Sequence, residues 1–364
     1  MELNSKLKSL VISIDHPILI QHLVTNEVNI EHLGLYQFQG FSESIRKAGL
    51  GSFEDVSRRI IGSFPALISL KVVLDVAMEV SFFESLQPLR LVNLDVTFLD
   101  SQANFQAKGL GHIAVGLENS RDSLTSLKLL LTGSGYHPLK EEVIEALQDI
   151  VIIPKAFKTL WIWCSNASAD FSRFFSRFEG ITQPEELTIS IMIEDIFTDS
   201  AYALSSFIAQ NQGLKQLQVF YQSIDSELDE VSVINETIQR LPNLKILKWE
   251  LGENQNIPVD SVIQMIDHSK ALETFDLSTQ GLFLDSDQLM VKLFTAIYHS
   301  KTLKDLRLRT PFDEITEAGF VWLEENLHKL KKFDRVYLKN TSDKKLEFYN
   351  TVMDKLHLIK LTQV

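Results

Sequence analysis

Large apolar residues recur along this chain in the pattern Leu-x-x-Leu-x-Leu, in which most of the x positions are polar. The clearest copies begin at Leu124, Leu214, Leu244 and Leu303. Looser copies begin at Leu7, Ile30, Leu67, Leu91, Phe157, Pro184, Leu272, Phe333 and Leu356. From 124 to 333 successive copies start about 30 residues apart, and a fixed period of this size indicates a solenoid of stacked repeats.

Each repeat predicts one strand followed by one helix. At the start of the repeat every second residue is large and apolar, as in a strand that buries one face. The stretch after the strand has helical spacing: Leu204, Phe207 and Ile208 recur at i, i+3 and i+4 and so share one helix face. The predicted fold class is therefore α/β. An ordinary α/β protein with elements of unequal length is the alternative, which thirteen phased starts disfavour.

The repeat resembles that of the leucine-rich repeat family, and its helix-length spacer is most similar to the ribonuclease-inhibitor-like class. The resemblance covers residues 7–364 and implies a horseshoe with a parallel sheet on its concave side and helices on its convex side. Because no Pro/Gly/Ser-rich linker interrupts the chain, we predict a single domain over 1–364 of about 12 to 13 repeats. The unequal spacing of the starts predicts an irregular part over 1–123 and a regular part over 124–364. The ninth position lacks the Asn or Cys of the family pattern, so we expect irregular curvature.

Composition limits the kinds of partner and compartment. The formal net charge of −13 disfavours binding to nucleic acid or to a membrane surface, because both attract proteins with an excess of Lys and Arg. No run of apolar residues is long enough to predict a transmembrane helix. Cys164 is the single cysteine, which fits a reducing compartment. We expect a cytoplasmic protein.

The sequence shows no local signature of catalysis, cofactor binding or metal binding. The nine histidines stand outside His-Glu-x-x-His and Cys-x-x-Cys settings. The turn at Gly133, Ser134 and Gly135 lacks the Lys-Ser/Thr ending of a P-loop and the third glycine of a dinucleotide-binding turn. We predict that the chain is not an enzyme and binds no cofactor or metal.

Two tryptophans are predicted to lie on the surface of the sheet. Alternate strand residues point away from the core, so positions three, five and seven, counted from the first apolar residue of a repeat, face outward. Trp161 and Trp163 hold positions five and seven of one repeat, and Leu130 and Phe220 are expected on nearby strands. Exposed large aromatic residues are typical of binding hot spots. The alternative is that a loop from the N-terminal half covers both rings.

A second outward-facing group is basic. It comprises Arg307, Arg309, Arg335 and Lys339, with Tyr337 and Asp305 among them. Four positive charges against one negative charge, in an acidic chain, suit a partner segment that carries carboxylates or phosphates, because Arg presents a planar fork to such groups. Solvated charge without a partner is the alternative.

These observations predict a non-catalytic scaffold that binds a partner protein on its concave face, as a subunit of a larger assembly. An adaptor or regulator in a degradation or signalling pathway, either a substrate receptor or an enzyme inhibitor, is the alternative. Neither end of the solenoid shows a capping unit, and a strand-like run occupies 356–361. Because an open sheet edge is an association template, we expect self-association or assembly through uncapped ends.

Overall fold

The structure is a computed structural model. It describes residues 8–13, 30–36, 49, 61–74, 80–98, 103–132, 140–154, 157–167, 171–176, 184–193, 198–223, 228–251, 256–279, 281–282, 284, 286–310 and 314–340. The chain divides into two compact units, Met1–Pro184 and Glu185–Val364, which we call unit 1 and unit 2.

Unit 1 contains a parallel sheet in which each strand pairs with the next strand along the chain. Its strands are β1 (Ser9–Ser13), β2 (His32–Tyr36), β3 (Ser69–Leu74), β4 (Asn93–Phe98), β5 (Ser126–Thr132) and β6 (Thr159–Ala167). Its α-helices are α1 (Ala103–Gly116), α2 (Glu141–Val151) and α3 (Ser172–Ser176), and short 3-10 helices cover Val80–Leu86 and Glu118–Ser120.

Unit 2 repeats the same plan. Its main strands are β7 (Glu186–Ile193), β8 (Gln216–Ser223), β9 (Ile246–Leu251), β11 (Thr274–Ser278), β13 (Asp305–Thr310) and β14 (Arg335–Asn340). The short strands β10 (Asn256–Ile257) and β12 (Gly281–Leu282) pair with each other. Its α-helices are α4 (Thr198–Gln210), α5 (Leu228–Gln239), α6 (Val259–His268), α7 (Asp287–His299) and α8 (Glu317–Asn326), and a 3-10 helix covers Leu327–Lys332.

The strands begin where the hydrophobic pattern places them. Each main strand starts two residues after a predicted repeat start; for example, β5 starts at Ser126 after the copy at Leu124. The copies align across the sheet, so that Leu127 lies opposite Leu160, and Leu129 lies opposite Ile162. Twelve of the thirteen predicted starts are confirmed in this way. The copy at Leu356, and with it the predicted open edge at 356–361, lies outside the described residues.

Within each unit, a repeated backbone contact joins a described repeat to the one before it. In unit 2 the backbone N–H groups of Lys245 and Ile246 both donate to the carbonyl oxygen of Lys215, at 2.8 and 3.1 Å. In unit 1 the N–H groups of Thr125 and Ser126 share the carbonyl oxygen of Val92 in the same way. Because the same pair of bonds forms at each of these steps, the backbone by itself holds neighbouring repeats in register.

The core lies between the sheet and the helices. Along β4 and β9 buried and partly exposed residues alternate one by one, as the pleat of a half-buried strand requires. Connections between neighbouring parallel strands are right-handed, so the helices collect on one side of each sheet. Leu244, Leu247 and Trp249 face that side and are buried. Each such side chain contributes about 1.5–3 kcal/mol when it leaves water.

Helical apolar faces complete the core as predicted. Leu204, Phe207 and Ile208 of α4 are buried. In unit 1 the rings of Phe171, Phe174 and Phe175 pack on one another, with edge-to-face contact between Phe174 and Phe175 at a centroid distance of 5.2 Å. These phenylalanines therefore belong to the core.

Strand, helix and register together confirm the predicted α/β architecture of a leucine-rich repeat solenoid. Each unit stacks repeats of one strand and one connecting segment that is mostly helical. The extent of the domain, 1–364 with an irregular part over 1–123, stays a prediction.

Candidate partner-binding faces

Both units present a sheet face that the helices do not cover, and we call it the open face. Positions three, five and seven of the repeats lie on it. On β9 these are Ile246, Lys248 and Glu250, all partly exposed between buried neighbours. A surface of this kind is rigid because hydrogen-bonded backbone holds it, and its outward side chains are free to contact a partner.

The two predicted tryptophans lie side by side on the open face of unit 1. The ring centroids of Trp161 and Trp163 are 6.1 Å apart and the rings are inclined by 37°. Both side chains are half-buried. In the sheet register Trp161 lies beside Lys128 and Trp163 lies beside Leu130. The structure thus brings three of the four residues of the predicted aromatic surface together.

The fourth residue, Phe220, lies in unit 2. It is half-buried on the open face of β8, in register with Glu250 of β9. Sequence spacing alone grouped it with the tryptophans. The structure assigns it to the open face of the other unit.

An ion pair between neighbouring strands occupies part of the open face of unit 1. The ammonium group of Lys71 lies 3.4 Å from the carboxylate of Asp95 on the next strand. Lys128 lies in register with Asp95 on the following strand and is exposed. Within the part of the chain that the structure describes, Lys128 has no acidic partner. An exposed lysine without an acidic partner among the described residues therefore lies in register beside Trp161.

On the open face of unit 2, a buried carboxylate is held between two arginines. The side chain of Asp276 is 7% exposed, and its oxygens lie 3.1 Å from Arg309 and 3.8 Å from Arg307. Arg309 donates a hydrogen bond to it. Asp276 precedes both arginines by one strand, and in the register it lies opposite Arg307.

Arg335 also contacts a carboxylate of the preceding strand, here through two hydrogen bonds. Its Nε and Nη2 atoms donate to the two carboxylate oxygens of Asp305, at 3.1 and 2.6 Å. The hydrogen bonds and charge of Asp305 raise the pKa of Arg335 above its ordinary value. Tyr337 follows Arg335 by two residues on β14 and is 47% exposed. Lys339 lies opposite Arg309 in the strand register.

The basic group is therefore less free than its sequence indicates. All three arginines already contact carboxylates of the same sheet. Sequence analysis counted Asp305 but left out Asp276, which stands on the preceding strand. The signal for it was available, since Asp276 holds the same repeat position as Arg307 and neighbouring repeats align without a shift.

A ladder of charges, which sequence analysis missed, follows the second position of the repeats in unit 2. Lys215 contacts Glu185 at 2.8 Å, and Glu273 contacts Lys245 at 3.3 Å and Lys304 at 2.6 Å. Hydrogen bonds from Lys304 and Lys245 hold the pKa of Glu273 below its ordinary value, and Glu273 in turn raises the pKa of Lys304. The ladder lies just ahead of the strands, and its side chains are between 34% and 57% exposed. We assign it to the support of the sheet and not to a binding site.

A cleft of about 330 Å³ lies where α6 and α7 end in unit 2, lined by Ile266, Asp267, Ser269, Lys270, His299, Ser300, Lys301 and Thr302. The same His-Ser-Lys sequence occurs in both turns. Beside the cleft, Lys332 donates to the backbone carbonyls of Tyr298 and Ser300. Apart from Ile266, the lining residues are of polar or charged types, which fits a solvated turn region better than a ligand site.

No reactive group stands out on the described surface. Cys164 is buried, and burial raises the pKa of its thiol; a buried thiol is a poor nucleophile because the thiolate is the reactive form. Among the described residues no group of three or more His, Cys, Asp and Glu side chains is placed to hold a metal ion. No described helix is both long and apolar enough to cross a membrane.

Comparison with known proteins adds one structural likeness. No protein-family model matches the sequence, and no curated protein matches it. One solved structure that matches is titled "Crystal structure of TLR13-ssRNA13 complex"; the alignment has 12% sequence identity and a TM-score of 0.34, and it covers 96% of this chain. The chain spans 57% of the length of that chain. The architecture assigned above rests on the strands and their register.

Proposed function

We propose that this chain is a non-catalytic scaffold that binds a partner protein on the open face of its sheet. One observation carries the proposal: Trp161 and Trp163 are half-buried and lie 6.1 Å apart on a rigid sheet surface. A tryptophan indole is large, apolar and stiff, so it buries much area at little entropic cost when a partner covers it. Trp249 supplies the contrast, because the same residue type is fully buried when it points to the helix side.

Several further assignments belong to this proposal. The full-length helices α1, α2, α4, α5 and α7 between strands support the ribonuclease-inhibitor-like class of leucine-rich repeats. The single buried cysteine supports a cytoplasmic location. The burial of that thiol supports a role without catalysis. The partner is a protein with an acidic or phosphorylated segment, because Lys128 presents an exposed cation on the open face of unit 1. On the open face of unit 2, Arg307 and Arg335 remain 47% and 69% exposed although they contact carboxylates.

The test is a quantitative capture experiment with three forms of the full chain: the wild type, the double variant Trp161→Ala/Trp163→Ala, and Tyr202→Ala. Tyr202 is the matched control because it is an exposed aromatic residue, at 52%, on helix α4 instead of the open face. Proteins retained from native lysate are quantified by mass spectrometry. The same three proteins are compared by thermal unfolding.

We expect one set of proteins to be retained by the wild type and by Tyr202→Ala and to be lost with the double variant. Binding measured with the purified partner should weaken by about 2 kcal/mol or more, the scale of a hot spot. The thermal midpoint should fall less than it would for a core tryptophan such as Trp249, since both rings are partly exposed on the open face. Equal retention by all three forms would overturn the proposal, and a large fall in the midpoint would place both rings in the core.

A further inference from the structure

The open face of unit 1 combines three kinds of side chain in three parallel rows. The first row is polar and comprises Ser69, Asn93, Ser126 and Thr159. The second row has three charged residues followed by a tryptophan, and it comprises Lys71, Asp95, Lys128 and Trp161. The third row is mainly apolar and comprises Val73, Thr97, Leu130 and Trp163. The chemistry of the surface therefore changes along the strands, from polar to charged to apolar.

Lys128 is the distinctive charge of this surface. Asp95 lies next to it in the second row but has its ion pair with Lys71 on the other side. On the side toward β6, Lys128 lies in register with Trp161 and not with an acidic residue. An exposed ammonium group that borders an apolar surface binds an anion more strongly than a fully solvated lysine does, because a bound partner excludes water from one side of it.

Leu130 and Trp163 form the apolar part of the surface. Both are partly exposed and lie opposite each other in the register of β5 and β6. Trp161 extends this area, since its ring adjoins that of Trp163. An apolar side chain that covers the three residues would remove area from water on several sides at once, which is the usual setting of an interface hot spot.

The spacing between the charge and the apolar area fits an extended peptide. Lys128 and Leu130 are two residues apart on one strand, so about 6.6 Å separates them along the strand axis. Side chains two residues apart in an extended segment also point the same way, at the same separation. An acidic residue and a large apolar residue at i and i+2 of a partner would reach Lys128 and Leu130 together.

We propose that the open face of unit 1 binds an extended segment of a partner protein in which Asp or Glu lies two residues from a large apolar residue. The carboxylate contacts the Lys128 ammonium group, and the apolar side chain packs on Leu130, Trp161 and Trp163. This inference rests on the proposed function and names the chemistry of the partner. The net charge of −13 repels an acidic partner at long range, so the local contact at Lys128 decides the preference.

The experiment selects binders from a display library of random short peptides against four immobilised forms of the full chain. They are the wild type, Lys128→Glu, Trp161→Ala/Trp163→Ala, and Lys158→Glu as the matched control. Lys158 is also an exposed lysine of unit 1, but it lies at the second repeat position, ahead of β6, and not on the open face. Peptides enriched on the wild type are then synthesised and titrated by fluorescence anisotropy.

The wild type and Lys158→Glu should enrich Asp or Glu two residues from Leu, Phe or Trp. Lys128→Glu should enrich Lys or Arg at the acidic position, because reversing the charge on the protein reverses the charge it prefers. Peptides chosen by the wild type should bind Lys128→Glu at least about tenfold more weakly, since like charges placed together in an interface are unfavourable. A swapped preference cannot come from a misfolded variant, so it supports the contact directly.

The two levels of the proposal fail in different ways. If Lys128→Glu keeps the acidic preference while the tryptophan variant loses the peptides, the chemistry proposed for the partner is wrong and the open face remains the binding surface. If the tryptophan variant selects the same peptides as the wild type, the proposed function itself is wrong.

Discussion

At the scale of single residues, orientation decides the role of a side chain more than its chemical type does. Trp249 and Trp161 occupy adjacent positions in their repeats, six and five. The first points to the helices and is buried, whereas the second points to the open face and is half-buried. The change follows from the two-residue period of a strand, in which neighbouring side chains lie on opposite faces. A shift of the register by one residue would exchange them.

Asp276 gives the clearest prediction at this scale. Its carboxylate is nearly inaccessible and contacts two arginines. Asp276→Asn keeps the shape but removes the charge, which leaves Arg309 without its ionic partner. We expect the free energy of unfolding to fall by about 1–3 kcal/mol, less than for a fully buried pair because Arg307 is half-exposed. Urea unfolding at neutral pH measures the change.

Asp305→Asn is the matched control for this prediction. It breaks the contact with Arg335, whose side chain is 69% exposed, and exposed ion pairs contribute little. The loss should be clearly smaller than that of Asp276→Asn. If both substitutions cost the same, burial is not what distinguishes the two carboxylates.

At the scale of elements, one glycine allows close packing between helix α1 and the preceding 3-10 helix, Val80–Leu86. A Cβ atom on Gly116 would overlap the backbone carbonyl of Phe83, and backbone cannot move aside as a flexible side chain can. We expect Gly116→Ala to destabilise unit 1 by about 1–3 kcal/mol, the usual cost of overpacking. Thermal or urea unfolding detects this.

Gly111, on the same helix, offers a control of opposite sign. A Cβ atom there would meet nothing within 4 Å. Gly111→Ala should therefore stabilise the chain by about 0.5–1 kcal/mol, because alanine loses less backbone entropy than glycine when a helix forms. Equal effects at the two positions would show that the contact with Phe83 does not constrain α1.

The charge ladder makes stability depend on pH. The folded chain holds the pKa of Glu273 below its ordinary value, so the folded state binds the proton less readily than the unfolded state does. The stabilisation is present above the ordinary pKa of Glu, roughly pH 4.3, and is lost as the pH falls through the lowered folded value. Thermal unfolding of the wild type and Glu273→Gln should differ at neutral pH and converge in acid.

The control for this pH dependence is Glu145→Gln. Glu145 is exposed on α2 and, among the residues that the structure describes, contacts no cation. Its midpoint should track the wild type across the same range. High salt should also shrink the difference between the wild type and Glu273→Gln, because the ladder is open to screening ions.

At the scale of the whole molecule, the repeat organises each unit separately. In both units the N–H groups at the second and third positions share one carbonyl of the preceding repeat. Each repeat packs only on its neighbours, so stability approximates a sum over repeats and the interfaces between them.

This organisation predicts a periodic pattern of hydrogen exchange. Amides of the main strands, from β2 to β5 and from β8 to β13, should exchange slowly, because they lie inside a hydrogen-bonded sheet. Fast segments should recur between them at about the period of the repeat, roughly 30 residues. Exchange followed by mass spectrometry tests the pattern, and uniform protection along either unit would contradict it.

The positions of the strands could be determined from the sequence alone. The spacing of residues such as Leu124, Leu127 and Leu129 is written along the chain, and an equal period places equal positions side by side in a parallel sheet. The outward direction of Trp161, Trp163 and Arg307 follows from the same period. Fold class, register and the membership of the open faces therefore need no tertiary information.

Contacts between side chains were decided only by the tertiary structure. The contact of Asp276 with Arg309, which holds a different repeat position, the 6.1 Å approach of the two tryptophan rings and the placement of Phe220 in unit 2 have no signature in the periodicity. Long side chains reach across strands by rotamer choices, and those choices depend on neighbours about 30 residues away in sequence. The repeat pattern determines the strand position and the sheet face of a side chain. The packing around that side chain determines which residue it contacts.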